Sequence, residues 1–277
     1  TEKKKLIGSV DVKDLLTVGE SRLIEEIMDE NVLCARTLDD QEKVAAMIEK
    51  YSLVAIPIID HENCLVGIVT VDDAMTVLQD EATEDISIMA GVTPNEDSYF
   101  GTSVFQHAKN RALWLMLLML SATVSGEILA HYESAMAVMP ILITFIPMLM
   151  GTSGNCGSQS STMVIRGIAV GEIEFKEFFK VVFKEIRIAI LVGLMLAVVN
   201  GIRVYIMYDQ DIMLAIAIGI TIIAIVCMAK CIGCTLPLFA KKIGLDPALM
   251  AAPLISTIMD TCTILMYFAI ITAFFKL

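Results

Sequence analysis

Gly151-Thr152-Ser153-Gly154-Asn155-Cys156-Gly157-Ser158-Gln159-Ser160-Ser161-Thr162 interrupts an otherwise apolar run at residues 135–165, with glycines at i, i+3 and i+6 and with hydroxyls and amides between them. Hydrocarbon leaves such polar groups unsatisfied, so a helix carrying them must be sheltered by protein or line water. Small residues at this spacing also serve helix packing, but amides beside them exceed what packing alone needs. Four more apolar segments surround this one, at about residues 112–131, 187–207, 212–240 and 247–275. Each is near the roughly 20 residues that a bilayer core requires. Residues 111–277 are therefore expected to form an all-α transmembrane domain of five helices.

Asp260 is the only acid between Pro247 and Phe275. A carboxylate buried in a membrane costs a few kcal/mol unless it faces a cavity, a partner or an ion. In a straight helix it would lie about 20 Å from Pro247, near mid-membrane. A protonated structural Asp is the competing reading. The natural partner of Asp260 is the glycine-and-amide stretch, whose oxygens could hold water around a cation.

Charge separates two solvents along the chain. Residues 1–100 carry 22 of the 32 acids and 8 of the 20 bases, whereas the remainder carries 10 acids and 12 bases. An acidic surface of this kind repels nucleic acid and favours cations. Lys109 and Arg111 precede the first apolar segment; Arg166, Lys176, Lys180, Lys184 and Arg187 lie between the second and third, and Lys241 and Lys242 between the last two. The opposite loops, 132–134 and 208–211, carry acids and no base. The positive-inside rule then makes this a multi-pass protein of the cell membrane with a cytoplasmic N-terminal domain and an extracellular C-terminus. Residues 174–188 read as an amphipathic helix at the inner surface, with Phe175, Phe178, Phe179, Val182 and Phe183 on one side and Lys176, Lys180 and Lys184 on the other; a plain linker helix is the alternative.

Residues 27–86 alternate period-two and period-3.6 spacing in the order βαββα. A strand is expected at 32–35, a helix over Gln41–Tyr51 with Val44, Ala45 and Ile48 inward, strands at 54–59 and 64–70 joined by a turn at 60–63, and a helix from Val71. Gly8-Ser9-Val10-Asp11-Val12-Lys13-Asp14-Leu15 echoes Gly67-Ile68-Val69-Thr70-Val71-Asp72-Asp73-Ala74, which implies a duplicated unit. Thr1 is not an initiator Met and no signal-peptide h-region follows, so the N-terminus is expected to be a cut one. Seven scattered Cys suggest no disulfide framework. Cys227, Cys231 and Cys234 share a helix face, which reads as packing or, alternatively, as a soft-metal site.

The Gly-Ile-Val-Thr-x-x-Asp ending at Asp73 resembles the CBS domain, a module that works in pairs and often binds adenine nucleotides, so ATP or a relative is implied near Thr70 and Asp73. Gly151 to Ser160, together with Asp246-Pro247-Ala248 and Pro253-Leu254-Ile255-Ser256-Thr257-Ile258-Met259-Asp260, resembles the MgtE family of magnesium channels. The resemblance implies a multi-domain membrane protein, an α+β CBS module followed by the five-helix domain, assembled as a homodimer around one cation pore. It divides the chain into a remnant of a first CBS module at 1–26, a second module at 27–76, a connecting plug-like helix at 77–110 and the pore domain. It implies Mg²⁺ as both transported and regulatory ion: Asp260 binding the hydrated ion, Gly151, Gly154, Asn155, Gly157, Gln159 and Thr162 lining the pore, and Glu42, Asp72, Asp73, Glu81, Glu84, Asp85 and Asp246 holding regulatory Mg²⁺. Glu133 falls at the outer mouth, Glu127 has no assigned counterpart, and Lys230 stands where the family commonly has Asn. Lys230 either snorkels to the cytosolic edge or opposes cation entry. A carrier coupled to sodium or protons is the alternative function. A CBS-regulated membrane enzyme is a third, disfavoured because His61-Glu62-Asn63-Cys64-Leu65 lacks the second His of a zinc protease motif.

Overall fold

A computed structural model describes residues 4–19, 21–95, 97–208 and 211–276. Asp209 and Gln210 of the expected 208–211 loop lie outside the described residues, as do Thr1 and Glu96. The chain divides into two compact units, residues 1–84 and 85–277.

In the first unit the order is α1 (Val12–Thr17), α2 (Ile24–Ile27), β1 (Ala35–Arg36), α3 (Gln41–Tyr51), β2 (Ala55–Ile59), β3 (Leu65–Thr70) and α4 (Val71–Met89). The sheet order is β1-β2-β3, with β1 parallel and β3 antiparallel to β2. From β1 onward this is the expected βαββα order. α3 begins where the Asp40 side chain accepts from the Glu42 N–H at 3.0 Å and ends at Ser52, whose φ of +52° turns the chain out of the helix. Val44, Ala45 and Ile48 are buried against Ala35, Ile56 and Ala74, as the helical spacing predicts. β1 starts later than residues 32–35 suggest, because only Ala35 and Arg36 pair with Ile58 and Ile59. That short pairing also leaves Pro57 beyond the reach of β1, so its missing N–H breaks no ladder there. The turn closes on Asp60, whose carboxylate accepts from the Glu62 and Cys64 N–H groups, both at 2.8 Å. The internal repeat has a structural counterpart: α1 starts four residues after Gly8 and α4 four residues after Gly67. α4 runs unbroken from Val71 to Met89, so no break marks residue 77.

The second unit is all helical beyond the end of α4: α5 (Val104–His131), α6 (Glu133–Val138), α7 (Ile146–Ala169), α8 (Phe178–Met207), α9 (Ile212–Lys242) and α10 (Ala252–Phe275). Among the described residues three spans, α5, α9, and α10 with the turn before it, are long and apolar enough to cross a membrane. Three expectations need correction. The segment 135–165 is not one helix: α6 ends at Val138, a 3-10 stretch covers Pro140–Phe145, and α7 follows. Pro140 lacks an N–H and pushes Met139 out of the helical region, to φ −130° and ψ 82°. Pro147 sits in the first turn of α7, where no N–H is needed. Second, Ala251 is extended between a 3-10 turn at Pro247–Met250 and α10. Asp260 therefore lies only about 12 Å along α10, closer to its N-terminal end than a straight helix from Pro247 would put it. Third, residues 174–188 are not a separate surface helix. Most of them form the first turns of α8; Phe175, Phe178 and Val182 pack inward, while Phe179 and Phe183 are exposed on another face.

Glycines set how closely the long helices approach. A Cβ on Gly157 of α7 would press on Ile255 and Met259 of α10, and one on Gly233 of α9 would collide with the Gly157 carbonyl. A Cβ on Gly193 of α8 would stand 3.2 Å from the Ile223 backbone. Between these contacts Leu142, Phe145, Leu149, Ile218, Ile225, Met259 and Phe268 fill the core. Gly233→Ala is expected to destabilise the protein by about 1–3 kcal/mol through overpacking, read as a lower Tm in detergent. Gly201→Ala, inside α8 and with no atom within 4 Å of the added methyl, should instead raise the Tm slightly, because Ala is favoured over Gly in a helix by about 0.5–1 kcal/mol.

Candidate functional site

α7 presents two faces. Ser153, Gly154, Cys156, Gly157, Ser160 and Ser161 are buried, whereas Gly151, Asn155, Gln159 and Thr162 are exposed. The second set follows spacings of 4, 4 and 3 residues, which places it on one side of a helix. Four of the six predicted lining residues thus form an open polar stripe. Gly154 and Gly157 do not belong to it: they face α10 and α9, where their missing side chains admit Ser256, Ile255 and the Gly233 backbone.

Hydroxyls stitch α7 to its neighbours. Thr263 of α10 donates to Ser153 at 2.6 Å, Ser161 donates to the Met250 carbonyl, and Thr272, Thr257 and Thr221 turn back onto their own helices. The Tyr267 hydroxyl donates to the Leu142 carbonyl at 2.9 Å and so partners a group in the non-helical stretch before α7. Asp260 lies between two of these junctions, one turn beyond Ser256 at Gly154 and three residues before Thr263 at Ser153. Its neighbour Thr261 meets Ser125 of α5 at 2.7 Å. The Asp260 side chain is half-buried and, among the described residues, has no hydrogen-bond or ion-pair partner.

Of the two sequence readings of Lys230, the structure corrects the first. Lys230 is 5% exposed and does not snorkel; its ammonium pairs with Glu185 of α8 at 3.6 Å. Glu185 also accepts from Ser160 at 2.7 Å. Sequence reasoning missed Glu185 because it stands 45 positions before its partner within a basic run, and no spacing rule links two helices joined by a turn. A cavity of about 930 Å³ opens beside this pair, lined also by Asn155, Gln159 and Thr162 of the polar stripe.

The acidic residues are dispersed. Glu42 opens α3, and Asp72 and Asp73 open α4, where carboxylates complement the N-terminal end of the helix dipole. Glu81, Glu84 and Asp85 occupy one face of α4 by their spacing, and Glu81 accepts from Gln41 at 2.9 Å. Asp246 caps the turn before α10 by accepting from the Ala248 N–H at 2.8 Å. Glu133 is the exposed first residue of α6, and Glu127 is exposed on α5. Among the described residues no three His, Cys, Asp or Glu side chains gather as a metal site, the three Cys of α9 included.

Asp73 accepts from the Thr70 hydroxyl at 2.6 Å and from the Thr70 N–H at 3.0 Å. The hydroxyl bond first, and the N–H bond second, hold its carboxyl below the usual carboxylate range. A lowered value means that the bond supports the fold at neutral pH and that this support is lost as pH falls through it.

Residues 146–270 match the MgtE family, described as divalent cation transporters, and residues 24–80 match the CBS domain. The chain is 35% identical to the magnesium transporter MgtE of Thermus thermophilus over 97% of this chain and 59% of the relative, and 35% identical to that of Bacillus subtilis over 99% and 60%. It spans about three fifths of the length of these curated relatives. The solved soluble part of a magnesium transporter is 40% identical over 29% of this chain and 32% of its own, with a TM-score of 0.29.

Thr70→Val should raise the Asp73 pKa towards the ordinary carboxylate value, measured by following the carboxyl resonance through an acid titration. An unchanged titration would mean that the hydroxyl bond does not hold the charge.

Proposed function

Since residues 146–270 belong to the MgtE family of divalent cation transporters and residues 24–80 to the CBS domain family, we propose that this chain conducts Mg²⁺ into the cell as a homodimer. The observation that carries the reading is an open polar stripe on α7 together with an unpartnered Asp260 on α10, three residues before the Thr263 that bonds Ser153 of α7. Exposed amides on a membrane helix are unfavourable against lipid and favourable against a watery lumen. A second copy facing the stripe would enclose such a lumen. α5 supports the same arrangement: it buries Asn110 and Ser125 and leaves Leu113, Leu117, Leu120 and Val124 open to lipid or to a partner. All five long helices cross the bilayer in this reading, with residues 1–100 cytoplasmic and the C-terminus outside.

Mg²⁺ keeps most of its waters and is held through them by one or two carboxylates. Two Asp260 side chains, one from each copy, supply that number, and Gly151, Asn155, Gln159 and Thr162 supply neutral surface for the hydration shell. The half-buried position of Asp260 permits this because its carboxylate is not committed to a cation of its own chain.

The acidic unit supplies the control. Glu81, Glu84 and Asp85 on α4, with Glu42, Asp72, Asp73 and Asp246, are carboxylates whose repulsion a divalent ion would relieve. Internal Mg²⁺ then biases the opening equilibrium by binding one state better. Thr70 and Asp73 stand at the end of the CBS strand where an adenine nucleotide would be met; both Thr70 bonds fall on Oδ2 of Asp73, which leaves Oδ1 to accept from a ribose hydroxyl.

Asp260→Asn in proteoliposomes is expected to reduce Mg²⁺ flux at least tenfold while the dimer still assembles. Undiminished flux in a correctly inserted variant would remove Asp260 from the pathway. Wild-type flux that requires a sodium or proton gradient would turn the reading to a coupled carrier.

A further inference from the structure

We propose that Glu185 and Ser160 form a cation site which the chain fills with its own Lys230 ammonium, and that a divalent cation occupies the site once that ammonium is removed. Lys230 is 5% exposed and the Glu185 side chain 12% exposed, so the carboxylate is withdrawn from bulk water. The ammonium sits 3.6 Å from it, longer than the 2.7–2.9 Å of a charge-assisted hydrogen bond. It therefore acts as a neighbouring charge rather than as a locked donor.

The atoms around that charge are those a hard cation takes. The Glu185 carboxylate carries the negative charge, the Ser160 hydroxyl lies 2.7 Å from it, and the Lys230 carbonyl lies 3.2 Å from the same hydroxyl. Because Ser160 donates its single proton, its lone pairs remain available to a cation. All of these ligands are oxygens, the set preferred by Mg²⁺ and its relatives. The adjoining cavity of about 930 Å³ is lined by the Asn155 and Gln159 amides. Six waters at roughly 30 Å³ each need about 180 Å³, so a hydrated ion has room.

In the native chain the tethered ammonium keeps divalent ions out of the Glu185 end of the cavity, leaving the polar stripe of α7 without a competing ion trap beside it. Among the described residues Arg166 and Lys184 line the same cavity, as does the acid Glu172, while Lys180 is paired with Glu177 at 3.2 Å. Whether Arg166 or Lys184 substitutes for Lys230 is decided by the following experiment.

The full chain, purified in detergent, is compared as wild type, Lys230→Met and Lys230→Met/Glu185→Gln. Removing one member of a buried pair leaves an uncompensated charge, so Lys230→Met should melt lower in EDTA. Millimolar Mg²⁺ should then raise its Tm by more than it raises that of wild type. Mn²⁺ counted by electron paramagnetic resonance should show one extra ion per chain, absent in the double variant. Lys230→Ser, which leaves space for a hydrated ion, provides the second variant. A Mg²⁺ response no larger than wild type, extra Mn²⁺ that survives Glu185→Gln, or failure of both single variants to fold even in Mg²⁺ would overturn the proposal. The readouts are stability and binding, so the outcome does not depend on conduction.

Discussion

The close approach of α7 and α9 at Gly157 and Gly233 is the constraint on which the second unit depends. Because no side chain separates the two backbones there, α7 can turn only one face towards α9 and α10. The face left over is the one bearing Gly151, Asn155, Gln159 and Thr162. Steric contact, rather than any attraction between polar groups, therefore decides which oxygens of a Ser- and Thr-rich helix remain available. The inward hydroxyls are consumed in joining helices, as at Thr263 to Ser153 and Ser161 to Met250.

The same contact governs the charges. With α7 held against α9, Ser160 reaches both the Lys230 carbonyl and Glu185, and the Gly193 contact with Ile223 sets how closely α8 lies to α9. A buried cation and a buried anion then meet inside a unit where each alone would be costly. Asp260, one helix away, is left without such a partner. One acid is neutralised within the chain and another is kept for an ion in the proposed function; that division follows from which helices touch.

Much of the first unit is legible in the sequence. Gln41–Tyr51 is bounded by a capping Asp and its inward residues recur at 3.6 spacing, so local chemistry and burial agree. The strand ends were less legible, since β1 stops where its partner stops and pairing is not a property of one strand. In the second unit the apolar segments marked the long helices. The break at Met139 and Pro140 followed a readable rule that the hydrophobic run concealed, and the exposure of Phe179 and Phe183 could not be read because α8 continues into the bundle and rotates its first turns with it.

By itself the sequence determined composition-driven matters: an acidic α+β module, apolar helices, a polar glycine-bearing segment and an isolated Asp260. These depend on local periodicity and on the transfer cost of side chains, which neighbours do not alter. Tertiary structure alone decided that Gly154 and Gly157 face α10 and α9, and that Lys230 is matched by Glu185. It also decided that the polar stripe opens beside their cavity. Those outcomes depend on the rotation and register of one helix against another, which are set by the summed packing of residues far apart in the chain and leave no local trace.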